Sequence, residues 1–306
     1  MRVLVTGGAG FIGSWICDAL IDAGHEVLAY DDLSSGTRGN LASGIGLEVG
    51  DIRDADRLQS VFRSYRPEAV FHQAAQVSVS RSMEDPVQDA DVNITGSLRV
   101  LEASLGAGVR RFVFASTAAV YGAPQQCPTI EDEPTVPESP YGLAKRTVEG
   151  YLAMLTRGTT LTPSILRYAN VYGPRQNVHG EAGVVAIFCE RLSGRQDVTI
   201  YGDGEQTRDF VFVGDVARAN VAALHGPGGV YNVSTADEHT VNQLAAMLES
   251  VSARTLPRSY QDSPKVGLVR SCLSNDRIHQ QLQWRPRVGL REGLQRTWQW
   301  FDASAK

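Results

Sequence analysis

The chain has 306 residues, of which 42% are hydrophobic and 21% charged; this permits a large buried core and excludes a disordered or collagen-like chain. A formal net charge of −5 excludes a broad basic surface for nucleic acid, and four Cys in this length exclude a disulfide scaffold. Met1 runs directly into an apolar segment without a basic leader, and no stretch approaches the roughly 18 uninterrupted apolar residues of a membrane span, so a soluble cytoplasmic protein with no membrane contact is expected.

Residues 2–6 (RVLVT) predict a strand that ends on a glycine cluster, and a helix follows over 11–23, stopped by Gly24. Residues 26–30 predict a second strand, 47–49 a third, and 54–65 a helix that ends before Pro67. Further strands are predicted at 69–71 and 111–115, with helical spacing over 91–105 between them. Short apolar strands alternating with helices are the pattern of parallel βαβ units. The second half is less regular. It predicts a helix over 140–155, a strand over 161–167, a loop over 170–182 and a helix over 184–192. Short strands at 198–200 and 210–213 precede helices at 216–224, 241–251 and 290–301.

The glycine cluster reads Thr6-Gly7-Gly8-Ala9-Gly10-Phe11-Ile12-Gly13. It follows a strand and opens a helix, the context in which glycines let the backbone approach a pyrophosphate. Gly7, Gly10 and Gly13 supply the turn, and the first helical amides, at Phe11 and Ile12, point at the phosphate oxygens. Asp31 ends the second strand 18 residues past Gly13, where an acid can hold both ribose hydroxyls. A carboxylate repels the 2′-phosphate of NADP and no Arg immediately follows, so the expected cofactor is NAD. Asp51 and Ile52, after the third strand, either border the adenine or form an ordinary loop.

Tyr141 and Lys145 stand four apart in a predicted helix, which puts both on one face with Cβ atoms about 6 Å apart. An ammonium beside a phenol favours the phenolate, and such a tyrosine can take a hydroxyl proton near neutral pH. Ser116 and Thr117 follow the strand at 111–115, at the carboxyl end where a cofactor crevice opens. A hydroxyl there can hold a substrate oxygen, and spacing alone does not choose between the two. The six His and four Cys form no metal-spaced motif, and no Gly-x-Ser-x-Gly or Walker sequence occurs.

Taken in order, these motifs resemble the extended short-chain dehydrogenase/reductase family, in its sugar-nucleotide epimerase/dehydratase branch. The resemblance covers nearly the whole chain. It includes the glycine cluster, Asp31 to Gly36, His72-Gln73-Ala74-Ala75, Asp91-Val92-Asn93, Ser116 to Gly122, Tyr141 with Lys145, Leu166 to Arg175, and Arg208 to Val211. Within the branch it is most similar to the group of UDP-glucose/UDP-galactose 4-epimerases. The fold this implies is α/β: a Rossmann-type doubly wound parallel sheet with a small, interleaved α/β C-terminal substrate-binding domain. Residues 1–169, with a returning segment around 209–232, form the NAD-binding part, and residues 170–306 mainly the UDP-sugar-binding part.

The resemblance also implies roles. Thr117 carries the hydroxyl beside the sugar O4, Tyr141 is the acid/base, and Lys145 supports Tyr141 and the nicotinamide ribose. Ala74 and Asn93 border the cofactor, while Asn170 and Arg208 contact the sugar nucleotide. NAD is held tightly and not consumed: hydride leaves C4, a 4-keto sugar rotates, and hydride returns to its other face. A homodimer is implied. Dehydratases of the branch place an Asp-Glu pair directly after the threonine; Ala118 and Ala119 stand there and can do no acid–base work.

The chain departs from the branch pattern near the nucleotide. Lys265-Val266-Gly267-Leu268 replaces the usual Arg-x-Gly-Asp, leaving a point charge at Lys265 and no acid at Leu268, with Arg270 close enough in sequence to compensate. Cys272 falls at the position whose size gates the sugar, and its small side chain leaves room for an N-acetyl group. Residues 78–86 are similar to a loop of N-acetylhexosamine-using epimerases, with Arg81 or Ser82 facing the sugar. An Arg there equally suits a uronic acid, so UDP-glucuronate 4-epimerisation, or another NAD(P)-linked sugar-nucleotide reduction, is the alternative.

Overall fold

The computed structural model describes residues 1–178, 183–262 and 269–304. Its strands are β1 (Arg2–Thr6), β2 (Glu26–Asp31), β3 (Gly46–Val49), β4 (Ala69–His72), β5 (Arg111–Thr117), β6 (Thr162–Tyr168), β7 (Asn170–Tyr172), β8 (Val198–Tyr201), β9 (Thr207–Phe212), β10 (Gly229–Val233), β11 (Glu238–Thr240) and β12 (Arg258–Gln261). Seven form one sheet in the order β10-β6-β5-β4-β1-β2-β3, and every pairing is parallel. Strand order reverses between β1 and β4, whose ends meet at Thr6 and His72. A crevice opens at such a switch point, outside the carboxyl ends of the strands.

Alternation along the strands feeds two cores. On one face Val3, Val5, Ala29 and Phe71 pack with Ile16 and Leu20 of α1 (Phe11–Asp22) and Val216 and Leu224 of α8 (Val213–His225). On the other, Leu4, Tyr30, Val70 and Phe114 pack with Leu58 and Phe62 of α2 (Ala55–Tyr65), Leu101 of α5 (Ser97–Gly106), and Val148 and Leu152 of α6 (Pro140–Leu155). A third core joins α7 (Val184–Ser193), α9 (Val241–Ser252) and α11 (Leu290–Ser304) behind β9, through Phe188, Leu244, Leu248, Trp298 and Phe212. The chain returns from this part to the large sheet through α8 and β10.

Three expectations change. The loop expected over 170–182 begins with β7, because Asn170, Val171 and Tyr172 pair with Phe210, Val211 and Phe212 of β9. A long-range partner makes that strand, and local composition does not announce it. Residues 78–86 contain a short helix, α3 (Val79–Glu84), followed by α4 (Pro86–Ala90), where Asp85 caps and Pro86 starts the turn. The helix expected over 91–105 opens with a π-helical turn, Asp91–Gly96, before α5. None of the described helices is long and apolar enough to cross a membrane.

Candidate active site

The glycine loop lies at the mouth of the switch point. Gly7 has φ +67° and a Cβ there would sit 2.6 Å from the Ala74 nitrogen, so Ala74 borders the loop at the end of β4. A Cβ at Gly13 would lie 2.0 Å from the Gly7 oxygen. Only glycine permits this closeness of helix and loop. Gly10 precedes α1 in extended conformation and gives no side-chain cap, so the first-turn amides of Phe11, Ile12 and Gly13 have no intrahelical acceptor. Free amides at a helix N-terminus are suited to an anion such as a pyrophosphate.

Asp31 borders this loop. Its side chain is buried, with Oδ2 accepting the Ala9 N–H at 2.9 Å and Oδ1 the Leu33 N–H at 2.8 Å. Burial pushes its pKa up, and those N–H groups oppose the shift. Each oxygen keeps a lone pair for a ribose hydroxyl. Asp51 is engaged by Arg53, whose Nε lies 3.0 Å from both carboxylate oxygens and holds the carboxyl below its ordinary range. Ile52 is buried beside Gly96, where a Cβ would meet its Cδ1 at 2.7 Å.

Gly142 explains how α6 reaches the end of β5. A Cβ there would lie 2.6 Å from the Ala119 oxygen, so the first turn of α6 abuts the turn at Ala118–Val120. Ser139 caps that turn, its Oγ accepting the Gly142 N–H at 3.1 Å. Tyr141 is half-buried, and Lys145 on the same face is fully enclosed with Nζ 4.9 Å above the Phe114 ring. Burial lowers the Lys145 pKa to about 8, and Asp89 opposes the shift. The two hydroxyls of β5 have different fates. Ser116 is buried and donates to Glu149 Oε1 at 2.6 Å. Thr117 is half-exposed; its Oγ1 accepts the Ala119 N–H at 3.2 Å and keeps its own proton to donate.

Behind Lys145 runs a polar chain that sequence reading did not resolve. His72 is buried between Thr6 Oγ1 at 2.6 Å and Ser97 Oγ at 2.8 Å, and Ser97 donates to the Asn93 carbonyl at 2.6 Å. Burial lowers the His72 pKa to about 3, Lys145 adding to the effect, so the ring is neutral. Asn93 is also buried; its Nδ2 reaches the Gln76 carbonyl at 2.9 Å and Asp89 at 2.8 Å, and its Oδ1 accepts the Gln76 N–H at 3.0 Å. An Asn taking both backbone groups of another segment was legible only as a motif member. Asp89 and Gln76 carried no sequence signal.

The other side of the crevice is built by β7 and β9. Asn170 is exposed opposite Phe210, and Arg208 donates to the Thr207 carbonyl at 2.7 Å, with burial lowering its pKa. Arg270 is forked onto Glu238. Cys272 is buried with its thiol directed at Asp209 Oδ2, 3.8 Å away, and burial pushes its pKa up. Arg81 of α3 donates to Gln88 Oε1 of the neighbouring α4 at 2.8 Å, and buried Ser82 donates to the Val79 carbonyl of its own helix at 2.7 Å. Lys265, Gly267 and Leu268 lie outside the described residues. No group of three or more potential metal ligands occurs among the described residues.

The chain is similar to known proteins over nearly its whole length. Residues 3–234 match the NAD dependent epimerase/dehydratase family. The UDP-glucose 4-epimerase of Mycolicibacterium smegmatis is 46% identical over 311 residues, covering 98% of each chain. A crystal structure of UDP-glucose 4-epimerase with UDP-glucose from Thermotoga maritima is 44% identical, covers 100% of both chains and superposes with a TM-score of 0.97. That of Thermus thermophilus UDP-glucose 4-epimerase in complex with NAD is also 44% identical, covering 98% of this chain and 99% of that one, with a TM-score of 0.94. With residues 3–234 matched by the family model and 46% identity to a relative across 98% of each chain, the protein belongs to the NAD dependent epimerase/dehydratase family.

Proposed function

We propose that the protein inverts C4 of a UDP-hexose, UDP-glucose and UDP-galactose foremost, with NAD held tightly and not consumed. The observation that carries this reading is the placement of Thr117 at the open end of β5, against the first turn of the helix that bears Tyr141 and Lys145. NAD, when bound, supplies a reversible hydride acceptor, so that C4 is oxidised to a ketone and reduced again. The glycine cradle and Asp31 would hold its pyrophosphate and ribose. The protein's own work is proton handling. The Tyr141 oxygen takes the proton of the sugar O4 and gives it back, Thr117 orients that O4, and the Lys145 ammonium favours the phenolate. Ala118 and Ala119 offer no group for eliminating water, which favours inversion over dehydration.

Arg208 would take the diphosphate. Arg81 is already tied to Gln88, which favours a neutral hexose over glucuronate. The small Cys272 side chain leaves room for the N-acetyl forms. A second copy of the chain is the proposed partner: α5 and α6 border a groove of about 500 Å³ whose apolar lining, Leu98, Leu101, Leu105 and Leu155, is joined by Tyr151, Thr95, Arg99 and Glu102, with Leu143 and Met154 also exposed on α6. The test is a panel of UDP-glucose, UDP-galactose, their N-acetyl forms and UDP-glucuronate, with product stereochemistry read by NMR and light scattering for the dimer. C4 inversion without net NADH release is expected; no inversion of any member overturns the reading.

A further inference from the structure

We propose that Asp89 is the counter-charge that keeps Lys145 an ammonium inside the protein, which makes it a positioning residue for the Tyr141–Lys145 pair; the proposal rests on the epimerase reading above. Asp89 lies on α4, which packs against α6, and it is 1% exposed. Its Oδ1 accepts from Gln76 Nε2 and from Asn93 Nδ2, both at 2.8 Å. Its Oδ2 is equally buried and has no hydrogen-bond donor among the described residues. A buried carboxylate oxygen left without a donor is costly unless a positive charge faces it.

Lys145 is the enclosed cation on the helix against which α4 packs. Burial pushes the Asp89 pKa up and the ammonium opposes that rise, just as the carboxylate opposes the lowering of the Lys145 pKa. The two partners on Oδ1 are neutral amides, which fix the carboxylate in place without cancelling its charge. Asn93 sits in the π-helical turn and grips both backbone groups of Gln76, so the clamp on Asp89 is itself rigid.

Other charged groups around α6 are spoken for. His72, from β4, is neutral between Thr6 and Ser97. Glu149, one turn beyond Lys145, is taken by Arg167 and Ser116. Asp91 pairs with Arg53, and Arg99 with Glu102 on α5. Arg81 engages Gln88, and Glu84 and Asp85 are exposed. Tyr141 shares the Lys145 face of α6, and its phenolate would compete with Asp89 for the same ammonium. Loss of the Asp89 charge therefore pushes Lys145 toward the neutral amine, which cannot support a phenolate.

The test uses the full-length, NAD-loaded protein. Asp89→Asn keeps the shape and the Oδ1 acceptor and removes the charge. The alkaline limb of its kcat–pH profile is expected to move down by about one unit, with kcat at pH 8 falling about tenfold and the UDP-sugar KM staying within about twofold. Asp89→Glu should recover part of the limb position. A folded Asp89→Asn protein whose alkaline limb stays in place overturns the proposal. A second measurement needs no turnover: denaturant midpoints of wild type, Asp89→Asn, Lys145→Met and the double variant. Asp89→Asn should destabilise the wild type and cost nothing in the Lys145→Met background, since the charge it serves is gone. Additive losses overturn the proposal, as does a double variant that fails to fold where Lys145→Met folds. If the wild type inverts no UDP-sugar, the epimerase reading falls, and this cycle still decides the Asp89–Lys145 coupling.

Discussion

Arg167 of β6 meets Glu149 of α6 in a buried two-point ion pair, with Nε 3.0 Å from Oε1 and Nη2 2.6 Å from Oε2. Oε1 also accepts the Ser116 hydroxyl of β5 at 2.6 Å. One carboxylate thus ties two strands to the helix that carries Tyr141 and Lys145, one residue before Thr117. Arg167 extends the tie by donating to the Tyr121 hydroxyl at 2.9 Å. Bidentate pairing is the geometry in which Arg resists being exchanged for Lys.

Glu149→Gln leaves a buried guanidinium without its anion. A loss of about 3–5 kcal/mol of folding stability is expected, as for other buried pairs broken on one side. Urea denaturation measures it, and a loss under about 1 kcal/mol would show that the pair is dispensable.

Tyr141→Phe removes the oxygen proposed as the acid/base and keeps the ring. Turnover should fall roughly 10²–10⁴-fold, while NAD content and UDP-sugar affinity persist. Steady-state kinetics together with calorimetric UDP-sugar titration separate the two effects; near-normal turnover would end the assignment.

Gly13→Ala places a methyl 2.0 Å from the Gly7 oxygen, where only backbone can give way. The purified variant should carry little nicotinamide cofactor, read by acid release and absorbance. A variant with full NAD occupancy would show that the cradle tolerates the side chain.

Arg208→Gln removes a cation and keeps some hydrogen-bonding capacity. Its expected signature is a KM for UDP-sugar raised about tenfold or more, with kcat changed far less. A fall in kcat at unchanged KM would move Arg208 out of the substrate-binding role.

His72 makes the fold acid-sensitive. Its pKa is about 3 when folded against an ordinary 6.5, so between these values the unfolded chain binds a proton that the folded chain does not. Stability from this group is complete above about pH 6.5 and falls as pH drops toward 3. Denaturation midpoints between pH 7 and pH 4 should decline more steeply for wild type than for His72→Gln, which cannot take up that proton. Lys145 acts with a similar sign at higher pH: with its pKa lowered to about 8 by burial, raising pH from about 8 toward 10.5 relieves a destabilising contribution.

Much of the site was written locally. The glycine loop, Asp31 at the end of β2 and the four-residue spacing of Tyr141 and Lys145 depend on short-range geometry, so residue type and spacing expose them. What stayed hidden needed partners in other elements. β7 exists because β9 lies beside it, and the π-helical turn accommodates an Asn93 that holds Gln76. The helix at Val79–Glu84 turns Arg81 onto Gln88, a bond no motif announces.

The amino-acid order by itself determined the parallel βαβ class, the glycine turn between β1 and α1 and the helical face shared by Tyr141 and Lys145, because each is set within one turn or one strand–helix unit. Tertiary structure alone decided which hydroxyl of β5 stays open. Neighbouring residues on a strand face opposite sides, and only the folded chain shows that Glu149 claims Ser116 while Thr117 is left half-exposed. It also decided that Lys145 is enclosed with Asp89 rather than set at the surface, since burial and charge pairing arise where separate helices pack.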